Sequence, residues 1–542
     1  MEWYYLIPLV YLFLLLVVGF VIAKRQETRS DFYVASNKMD GSVLFATVMS
    51  TVVGANTYMG FSGLIYNGGL HFMWMLSGAG LAYFILFFIS GKIRKIATKY
   101  EVFTLPDLVE LRYSNPVALL TTFFSLIGLV GGIGGGLLGL GVILNSLLGI
   151  PTTTAIIVTS IITIIYTCLG GLWGVSLTDW IQSIIMIAGV AVCIVFGITS
   201  VTPGQSFVNG AFEIVNVLKQ QLGTELVSPF AGLTFFMALA WTITFMPLNT
   251  ISQTQIQRVY AAKNVKTIRG VSLLMIIFVA MVLTFGLAFI GILGRVALPG
   301  LKNAEAVFPQ MSMKVINPAL GILIVTGIMG AAMSTVDSNL LGSAMHVTRD
   351  LYERYMRYKN KSVDEKRILF ISRVTIVIIG VISTIAALFT PSIMSLLLIT
   401  MKIFAGATFA PVLIGLYWKR ANAFGALLGE ILGGMAVVIN IIHPVVNLDP
   451  VIFGIIMAVL GTITGSLFTK ENTEKGSIFS FANDISSKGW LAVIAIALLY
   501  FGWVISMNNY AMWPYFIITT VVLLVLSVVF LIYSFITERT GN

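Results

Sequence analysis

The sequence predicts an all-helical polytopic membrane protein whose core consists of two inverted repeats of five helices. Of its 542 residues, 58% are hydrophobic and only 10% are charged, and the mean hydropathy is +0.97. Soluble globular domains do not have this composition. At roughly 20 apolar residues per crossing, the chain holds about 15 spans. Polar residues interrupt the second and the seventh spans, and this separation is the one expected if spans 2–6 and 7–11 are inverted repeats.

The apolar runs organise the chain as one membrane domain with four parts. An extra N-terminal helix (5–23) precedes a first repeat (42–199) and a second repeat (231–417), and accessory helices (423–536) follow. The predicted spans lie near 5–23, 42–68, 71–91, 117–148, 152–171, 176–199, 231–256, 270–294, 318–346, 368–389, 392–417, 423–442, 451–469, 490–506 and 512–536.

Positive charge is concentrated in alternate loops. The net charge is +10, which in a membrane protein indicates cytoplasmic loops rich in Lys and Arg. Such loops follow spans 1, 3, 7, 9, 11 and 13, and Arg258 is assigned to one of them, whereas the loops at 145–153 and 508–511 are nearly free of these residues. The alternation predicts a multi-pass protein of the cytoplasmic membrane, with its N-terminus outside and its C-terminus inside.

Several function classes lack their usual residues in this sequence. Only Cys168 and Cys193 are present, and the three histidines are dispersed, so neither a disulfide framework nor a thiolate metal site is expected. The sequence has no nucleotide-binding motif of the kind that ATP-driven pumps use, and no nucleophile–base pair of the kind that enzymes use. The glycine-rich run at 131–136 lies inside an apolar span, where close helix packing explains it better than phosphate binding does.

The ninth span carries an unusual run of polar residues at membrane depth. These are Ser334, Thr335, Asp337, Ser338 and Asn339. A carboxylate in this position is costly and is retained where it faces a partner, water or an ion. Hydroxyl and carboxylate oxygens are hard donors that suit a hard cation. The span is therefore predicted to hold a cation site.

The two interrupted spans indicate discontinuous helices. Polar or small residues occupy the middle of the second span, and Pro247 breaks the helical hydrogen-bond ladder of the seventh. A single interruption is explained equally well by helix packing or by a ligand site. The pairing of the two favours a ligand site. The polar residues concerned are Ser50, Thr51, Asn56 and Thr57 in the second span, and Asn249, Thr250, Ser252 and Gln253 in the seventh.

Two further charged residues have more than one interpretation. Lys402 lies some ten residues into the eleventh span and needs a partner there, which is either Asp337 or a solute carboxylate, unless its amine reaches the interface. Asp179 is a solvated loop carboxylate, a residue stabilised by a helix N-terminus, or a group that reaches the polar face of the ninth span.

Five motifs in order resemble the sodium:solute symporter family, which includes sodium–glucose, sodium–proline, pantothenate, monocarboxylate and choline transporters. The motifs are S-D-F-Y-V-A-S-N-K-M (30–39), F-T-L-P-D-L-V-E-L-R-Y (103–113), G-G-L-W-G-V-S-L-T-D-W-I-Q (170–182), Q-I-Q-R-V-Y-A-A-K-N (255–264) and G-L-Y-W-K-R-A-N (415–422). The resemblance covers about residues 1–470. It implies the leucine-transporter-like fold, preceded by one extra helix, with Na+ as the coupling ion.

The resemblance also implies particular site residues. It places a first sodium site on Ser50, Val53, Ala331, Ser334 and Thr335. A second sodium site, found in some members, would use Asp179, Ser334, Asp337 and Ser338, although those members have serine where this chain has Asp337. The candidate solute-binding residues are Asn56, Thr57, Tyr58, His71, Trp74, Trp241, Asn249, Gln253 and Lys402.

The sequence thus predicts a sodium-coupled secondary importer of a small organic solute. A small carboxylate or an amino acid is the first expectation, and Lys402 is its main support. The alternatives are a choline-like cation, supported by Asp337, or a sodium-conducting channel or sensor with the same fold. The expected partners are the solute, sodium and the lipid bilayer, without nucleic acid, and the expected state is a monomer or a weak oligomer.

Overall fold

A computed structural model describes residues 6–23, 39–100, 102–390, 392–469, 479 and 485–540 of the chain. Within these residues the regular elements are helices, and the one isolated β-bridge joins Met39 to Ala262. Most of the motif at 30–39 lies outside the described residues. The α-helices are α1 (Leu6–Ala23), α2 (Gly41–Val52), α3 (Ser62–Gly68), α4 (Met73–Tyr100), α5 (Leu105–Arg112), α6 (Asn115–Leu148), α7 (Thr152–Val201), α8 (Phe207–Val227), α9 (Phe235–Thr250), α10 (Gln253–Ala261), α11 (Val265–Ile277), α12 (Thr284–Ala297), α13 (Val307–Val315), α14 (Pro318–Met345), α15 (Arg354–Tyr358), α16 (Glu365–Phe389), α17 (Ile393–Tyr417), α18 (Ala423–Ile442), α19 (Pro450–Phe468), α20 (Ser487–Ser506) and α21 (Trp513–Thr540).

The helices account for the predicted membrane spans. Within the described residues, twelve helices are long and apolar enough to cross a membrane. If each of two bent helix pairs also forms one span, the number of spans is up to 14. These 14 follow the order of the spans predicted from residue 42 onward, and α1 corresponds to the extra N-terminal helix. Gly171, with φ 52°, divides α7 into two of the spans. The prediction of an all-helical polytopic protein is confirmed.

The first bent pair is the interrupted second span. Its halves, Gly41–Val52 and Asn56–Gly68, meet at an angle of 52°. Val53 ends α2 with a non-helical backbone (φ −101°, ψ 62°), so that the chain leaves the helix at this point. A Cβ atom on Gly54 would lie 1.9 Å from Thr335 Oγ1, so only glycine allows the break to approach α14 this closely.

The second bent pair is the interrupted seventh span. Its halves, α9 and α10, meet at 44°. The amides of Ile251 and Ser252 both donate to the carbonyl of Pro247, after which the helix stops. The Ser252 hydroxyl then accepts from the Gln255 amide and caps α10, which satisfies one of its free N–H groups.

The helix α14 occupies the centre of the bundle and packs against α2, α6, α7 and α16. The glycine-rich run of α6 provides the space that this packing requires. A Cβ on Gly132 would lie 2.6 Å from Asn339 Nδ2, and one on Gly136 would lie 2.5 Å from a methyl group of Val336. The run therefore serves close helix packing, in agreement with its sequence-based interpretation.

We expect Gly54→Ala to lower the melting temperature of the purified protein, because the added methyl group forces the break away from Thr335. Gly270→Ala on α11 is the matched control, since no heavy atom lies within 4 Å of the position that an added Cβ would take there. Alanine in an open helical position stabilises by about 1 kcal/mol relative to glycine, so the control keeps or raises the melting temperature. Equal melting temperatures for the two variants would contradict the close approach of α2 and α14.

Candidate cation and solute sites

A cluster of neutral oxygen atoms joins α14 to the end of α2. The Thr335 hydroxyl oxygen lies 3.4 Å from the Ser50 carbonyl oxygen and 3.3 Å from that of Thr51. It lies 3.3 Å from the carbonyl oxygen of Ala331. The Ser334 and Ser50 hydroxyl oxygens lie 3.0 Å apart. Four of the five residues predicted for the first sodium site are therefore in mutual contact, and the fifth, Val53, is the residue at which α2 ends.

The chemistry of this cluster suits a monovalent cation. Its oxygens come from hydroxyl and carbonyl groups and include no carboxylate of their own. Oxygen ligands suit hard cations, and a neutral set attracts a singly charged ion without holding it too strongly for release. The cluster bridges two helices, so any ion bound there would also hold those helices together.

Asp179 lies directly behind the cluster and is fully buried. Its Oδ2 accepts a hydrogen bond from Thr47 Oγ1 at 2.6 Å, and its Oδ1 accepts one from the Ser334 hydroxyl. Ser334 therefore connects Asp179 to Ser50. Of the three interpretations open from the sequence, the structure supports the one in which Asp179 reaches the polar face of the ninth span.

Arg258 is the unexpected member of this network. The positive-inside pattern assigns it to a loop, but the residue is fully buried on α10, and that assignment is wrong. Its Nη2 atom donates to Ser338 Oγ at 2.6 Å and to Thr47 Oγ1 at 3.3 Å. The Thr47 hydroxyl therefore bridges the Arg258 guanidinium and the Asp179 carboxylate.

Asp337 does not join Asp179, although both belong to the predicted second sodium site. Asp337 is fully buried on α14, and neither of its carboxylate oxygens has a hydrogen-bond donor in good geometry among the described residues. Ser338, the neighbouring member of that site, is engaged by Arg258 and lies 3.3 Å from Thr51 Oγ1. The four predicted ligands are therefore divided between two environments.

The alternative that pairs Asp337 with Lys402 is wrong. The Lys402 amine contacts Asp449 Oδ2 at 2.7 Å, and the two side chains are 20% and 27% exposed. Asp449 caps α19, so the ion pair joins the helices α17 and α19. Because Asp449 neutralises the Lys402 amine, Lys402 needs neither Asp337 nor a solute carboxylate as a partner.

A cavity lies beside the oxygen cluster, at the centre of the bundle. Its volume is about 40 Å³, enough for a few water molecules, so a larger solute requires side chains to move. Thr51 and Thr335 belong both to its wall and to the oxygen cluster. None of its lining residues is charged. They are Thr51, Val52, Asn56, Thr57, Phe61, Leu76, Ala79, Ser125, Gly128, Leu129, Gly132, Phe245, Leu248, Asn249, Ser252, Thr254, Gln255, Thr335, Asn339, Leu397, Met401 and Phe404.

Three of the predicted solute-binding residues lie in this wall, namely Asn56, Thr57 and Asn249. Tyr58 instead packs against Phe308. Gln253 accepts from the Leu105 amide at 2.9 Å and so anchors α5.

The remaining predicted residues lie in an aromatic cluster or in an ion pair rather than in the cavity wall. Trp74 Nε1 donates to the Pro229 carbonyl at 2.6 Å. Phe72 packs between His71 and Trp241. Lys402 is held by Asp449.

Several residues of the two sites were not identified from the sequence. Arg258 and Gln255 belong to the motif at 255–264. The charge pattern assigns Arg258 to a loop, and Gln255 lies at the end of the predicted seventh span without being a candidate ligand. Thr47 and Ser125 are single hydroxyl residues in apolar runs, and such residues usually bond to their own helix. Neither position carries a sequence signal that would distinguish it from ordinary helix packing.

Comparisons with known proteins agree with the motifs. A profile described as "Sodium:solute symporter family" matches residues 32–433. The sodium/pantothenate symporter of Haemophilus influenzae is 27% identical over 491 residues, covering 87% of this chain and 96% of that protein. The high-affinity proline transporter PutP of Bacillus subtilis is 26% identical over 446 residues, covering 78% of this chain and 89% of that protein.

One solved structure extends this agreement to the fold. It is that of a Na+-coupled sialic acid symporter in a substrate-bound outward-open state, with a TM-score of 0.74 and 22% identity, and the match covers 87% of this chain and 99% of that chain. At this identity the likeness establishes the fold alone. Together the comparisons confirm the family and the five-plus-five symporter fold predicted from the sequence.

We expect Asp179 and Arg258 to be thermodynamically coupled. Arg258→Gln removes the cation that Thr47 links to the buried Asp179 carboxylate. Loss of a direct partner of a buried charge costs about 3–5 kcal/mol, and the intervening hydroxyl makes the expected cost here smaller. In the Asp179→Asn/Arg258→Gln double variant, the melting temperature falls by less than the sum of the single effects, with a coupling of about 1 kcal/mol or more.

Arg295 provides the control for this double-mutant cycle, because it donates to the carbonyl of Asn67 at 3.0 Å and belongs to a different helix pair. Asp179→Asn and Arg295→Gln should be additive. Additivity of the Asp179 and Arg258 effects as well would contradict the network that joins these residues through Thr47.

Proposed function

Because the chain belongs to the sodium:solute symporter family, we propose that it is a sodium-coupled secondary importer of a small organic solute that works by alternating access. The observation that carries this proposal is the convergence of Ser50, Ala331, Ser334 and Thr335 oxygens between α2 and α14. The adjacent cavity shares Thr51 and Thr335 with this cluster. A change at either site therefore affects the other through direct contact.

Sodium would stabilise the conformation in which α2 and α14 are in contact, which is the outward-open form of the proposed cycle. A ligand shifts a conformational equilibrium only by its difference in affinity between the two states. Inward opening would separate Ser50 and Val53 from Ser334 and Thr335 and release the ion. The membrane potential contributes about 2.3 kcal/mol per charge for each 100 mV, in addition to the sodium gradient.

We place this multi-pass protein in the cell membrane, with its N-terminus outside and its C-terminus inside. The alternation along the sequence of loops rich in Lys and Arg with loops that contain few of these residues supports this orientation. The pattern persists without Arg258, because Lys263 lies between α10 and α11 and Lys266 lies in the first turn of α11.

The second sodium site remains a prediction, and Arg258 bears directly on it. A sodium ion between Asp179 and Ser338 would lie next to the guanidinium that already donates to Ser338. Like charges repel strongly in a low-dielectric interior, so Ser338 would have to release Arg258 before it could bind the ion. The first site has no such competitor among its ligands.

The solute we propose is a small carboxylate or an amino acid. The two relatives described above are named for pantothenate and proline, both of which carry a carboxylate. The cavity lining contains no charged side chain. Burial of a net charge without a partner is costly, so this wall suits a zwitterion, or a carboxylate whose charge is matched by sodium, better than a choline-like cation.

Substitution of both hydroxyl residues, Ser334→Ala with Thr335→Ala, tests this proposal. We expect the wild-type protein to gain melting temperature in sodium relative to equal potassium, by the equivalent of about 2.7 kcal/mol at one hundred times the dissociation constant. The double variant should lose this gain, together with sodium-dependent solute uptake into vesicles, because two ligands of the ion are gone.

The control is Ser343→Ala on the same helix. Its hydroxyl is buried and donates to the Asn339 carbonyl of its own helix at 2.8 Å. This variant should keep the sodium response. A panel of solutes that includes L-proline and pantothenate, assayed with each cation, would identify the solute. An unchanged sodium response in the double variant would rule out the proposed site.

A further inference from the structure

A chain of buried hydrogen bonds runs from the cavity wall to the cytoplasmic end of α14. Ser125 Oγ on α6 lies 2.7 Å from His346 Nε2, and His346 Nδ1 lies 2.7 Å from Asp350 Oδ2. His346 and Asp350 are fully buried, and Ser125 is 2% exposed. His346 and Asp350 both lie in the π-helical turn His346–Glu353. Neither the sodium sites nor the predicted solute-binding residues include any of the three.

The direction of these hydrogen bonds follows from the groups at the far end. The Thr104 hydroxyl accepts from the Asp107 amide and therefore uses its hydrogen to donate to Asp350 Oδ1, at 2.6 Å. The Arg354 guanidinium lies 3.7 Å from the same oxygen. A carboxylate that receives a hydroxyl donor and faces a cation acts as an acceptor. Asp350 thus accepts from Nδ1–H of His346.

This assignment determines the role of Ser125. In neutral imidazole, Nδ1–H leaves Nε2 as an acceptor. With His346 unprotonated, the Ser125 hydroxyl donates its one hydrogen to Nε2, and its oxygen keeps lone pairs for another partner. Ser125 lines the cavity, where that partner would be the solute.

Three other cavity residues, Asn56, Asn249 and Gln255, have an amide oxygen that is buried without a hydrogen-bond partner among the described residues. Asn249 Nδ2 donates to the Ala79 carbonyl at 3.0 Å, which fixes the amide and leaves its Oδ1 buried without a partner. Gln255 Nε2 faces the Tyr83 hydroxyl at 3.4 Å, and its Oε1 is also buried without a partner. Buried polar atoms normally have a partner, so a wall with such acceptors suits a ligand that supplies donors.

We propose that the Ser125 hydroxyl is a solute-binding group, held as a hydrogen-bond acceptor by His346 and Asp350, and that it receives an N–H donor from the ammonium group of an amino-acid solute. The proposal rests on the proposed import function and narrows its solute class to zwitterions with an N–H group. Ser125 contacts the solute, whereas His346 and Asp350 are positioning residues.

The same three residue types form the nucleophile, base and orienting acid of many hydrolases, but the surroundings of Ser125 do not support that chemistry. Acyl transfer needs N–H donors directed at the developing oxyanion. Ser125 lies well inside α6, where the flanking backbone N–H groups are used in the helical hydrogen-bond ladder. The arrangement can orient a hydroxyl group, and it lacks the donors that would stabilise a tetrahedral intermediate.

The first arm of the test does not depend on knowing the solute. Ser125→Cys is made in a Cys168→Ser/Cys193→Ala background and treated with 2-aminoethyl methanethiosulfonate at neutral pH. Imidazole next to the introduced thiol promotes the reactive thiolate, so we expect modification about tenfold faster than in the same protein with His346→Gln. Leu129→Cys, in the same wall and without a histidine partner, is the control whose rate His346→Gln should not change.

The second arm uses L-proline and N,N-dimethyl-L-proline, which lacks the N–H donor. We expect the wild-type protein to take up L-proline at a KM at least about tenfold lower than that for the dimethyl compound, because a hydrogen bond to a charged group is lost. Ser125→Ala and His346→Gln should each raise the KM for L-proline by about the same factor, and the double variant by no more. The maximal uptake rate and the sodium concentration that gives half-maximal uptake should stay unchanged. A general structural defect would change both.

The two arms separate failure of this proposal from failure of the proposed function. If the thiol of the Ser125→Cys variant reacts equally fast with and without His346, the assignment of Ser125 is overturned, whatever the solute. If the ratio of the KM values for the two proline compounds is the same in the wild-type protein and in Ser125→Ala, the assignment is overturned as well. Uptake that is independent of sodium in every variant would contradict the proposed function, while the rates of thiol modification would still decide the role of Ser125.

Discussion

The close contact between the break in the first bent span and α14 is the feature on which the rest of the structure depends. Gly54 has no side chain, and this allows Thr335 to lie within hydrogen-bond distance of the Ser50 and Thr51 carbonyls. A broken helix exposes carbonyl groups that a continuous helix would use internally. Here those carbonyls meet the hydroxyls of α14, and the result is a set of neutral oxygens placed between two helices.

Two of the charged groups described above are matched by another charge within the bundle. The Asp179 carboxylate is joined to the Arg258 guanidinium through Thr47, and Lys402 is matched by Asp449 on another helix pair. Asp337 is the exception, since it has neither a cation nor a hydrogen-bond donor in good geometry among the described residues. A buried carboxylate in this state is the kind of group that functional sites in membranes retain.

The sequence predicted the helices well because their signals are local. Apolar runs gave the spans, and Pro247 and the small residues around Gly54 indicated where two of them break. Contacts between distant residues carry no such signal. Lys402 and Asp449 are 47 positions apart, and Ser125 and His346 are 221 apart, so neither pair could be identified from periodicity. Arg258 was misplaced because a buried arginine and a loop arginine look alike in a charge pattern.

In the proposed cycle, sodium holds the break of the first bent span against α14. Hydrogen–deuterium exchange of the protein in lipid nanodiscs, compared in sodium and in equal potassium, measures this directly. We expect slower exchange in sodium for the backbone amides of residues 50–58 and 331–338, and no change in α19, which packs mainly against α9, α17 and α18. Equal exchange of these two segments in both salts would contradict it.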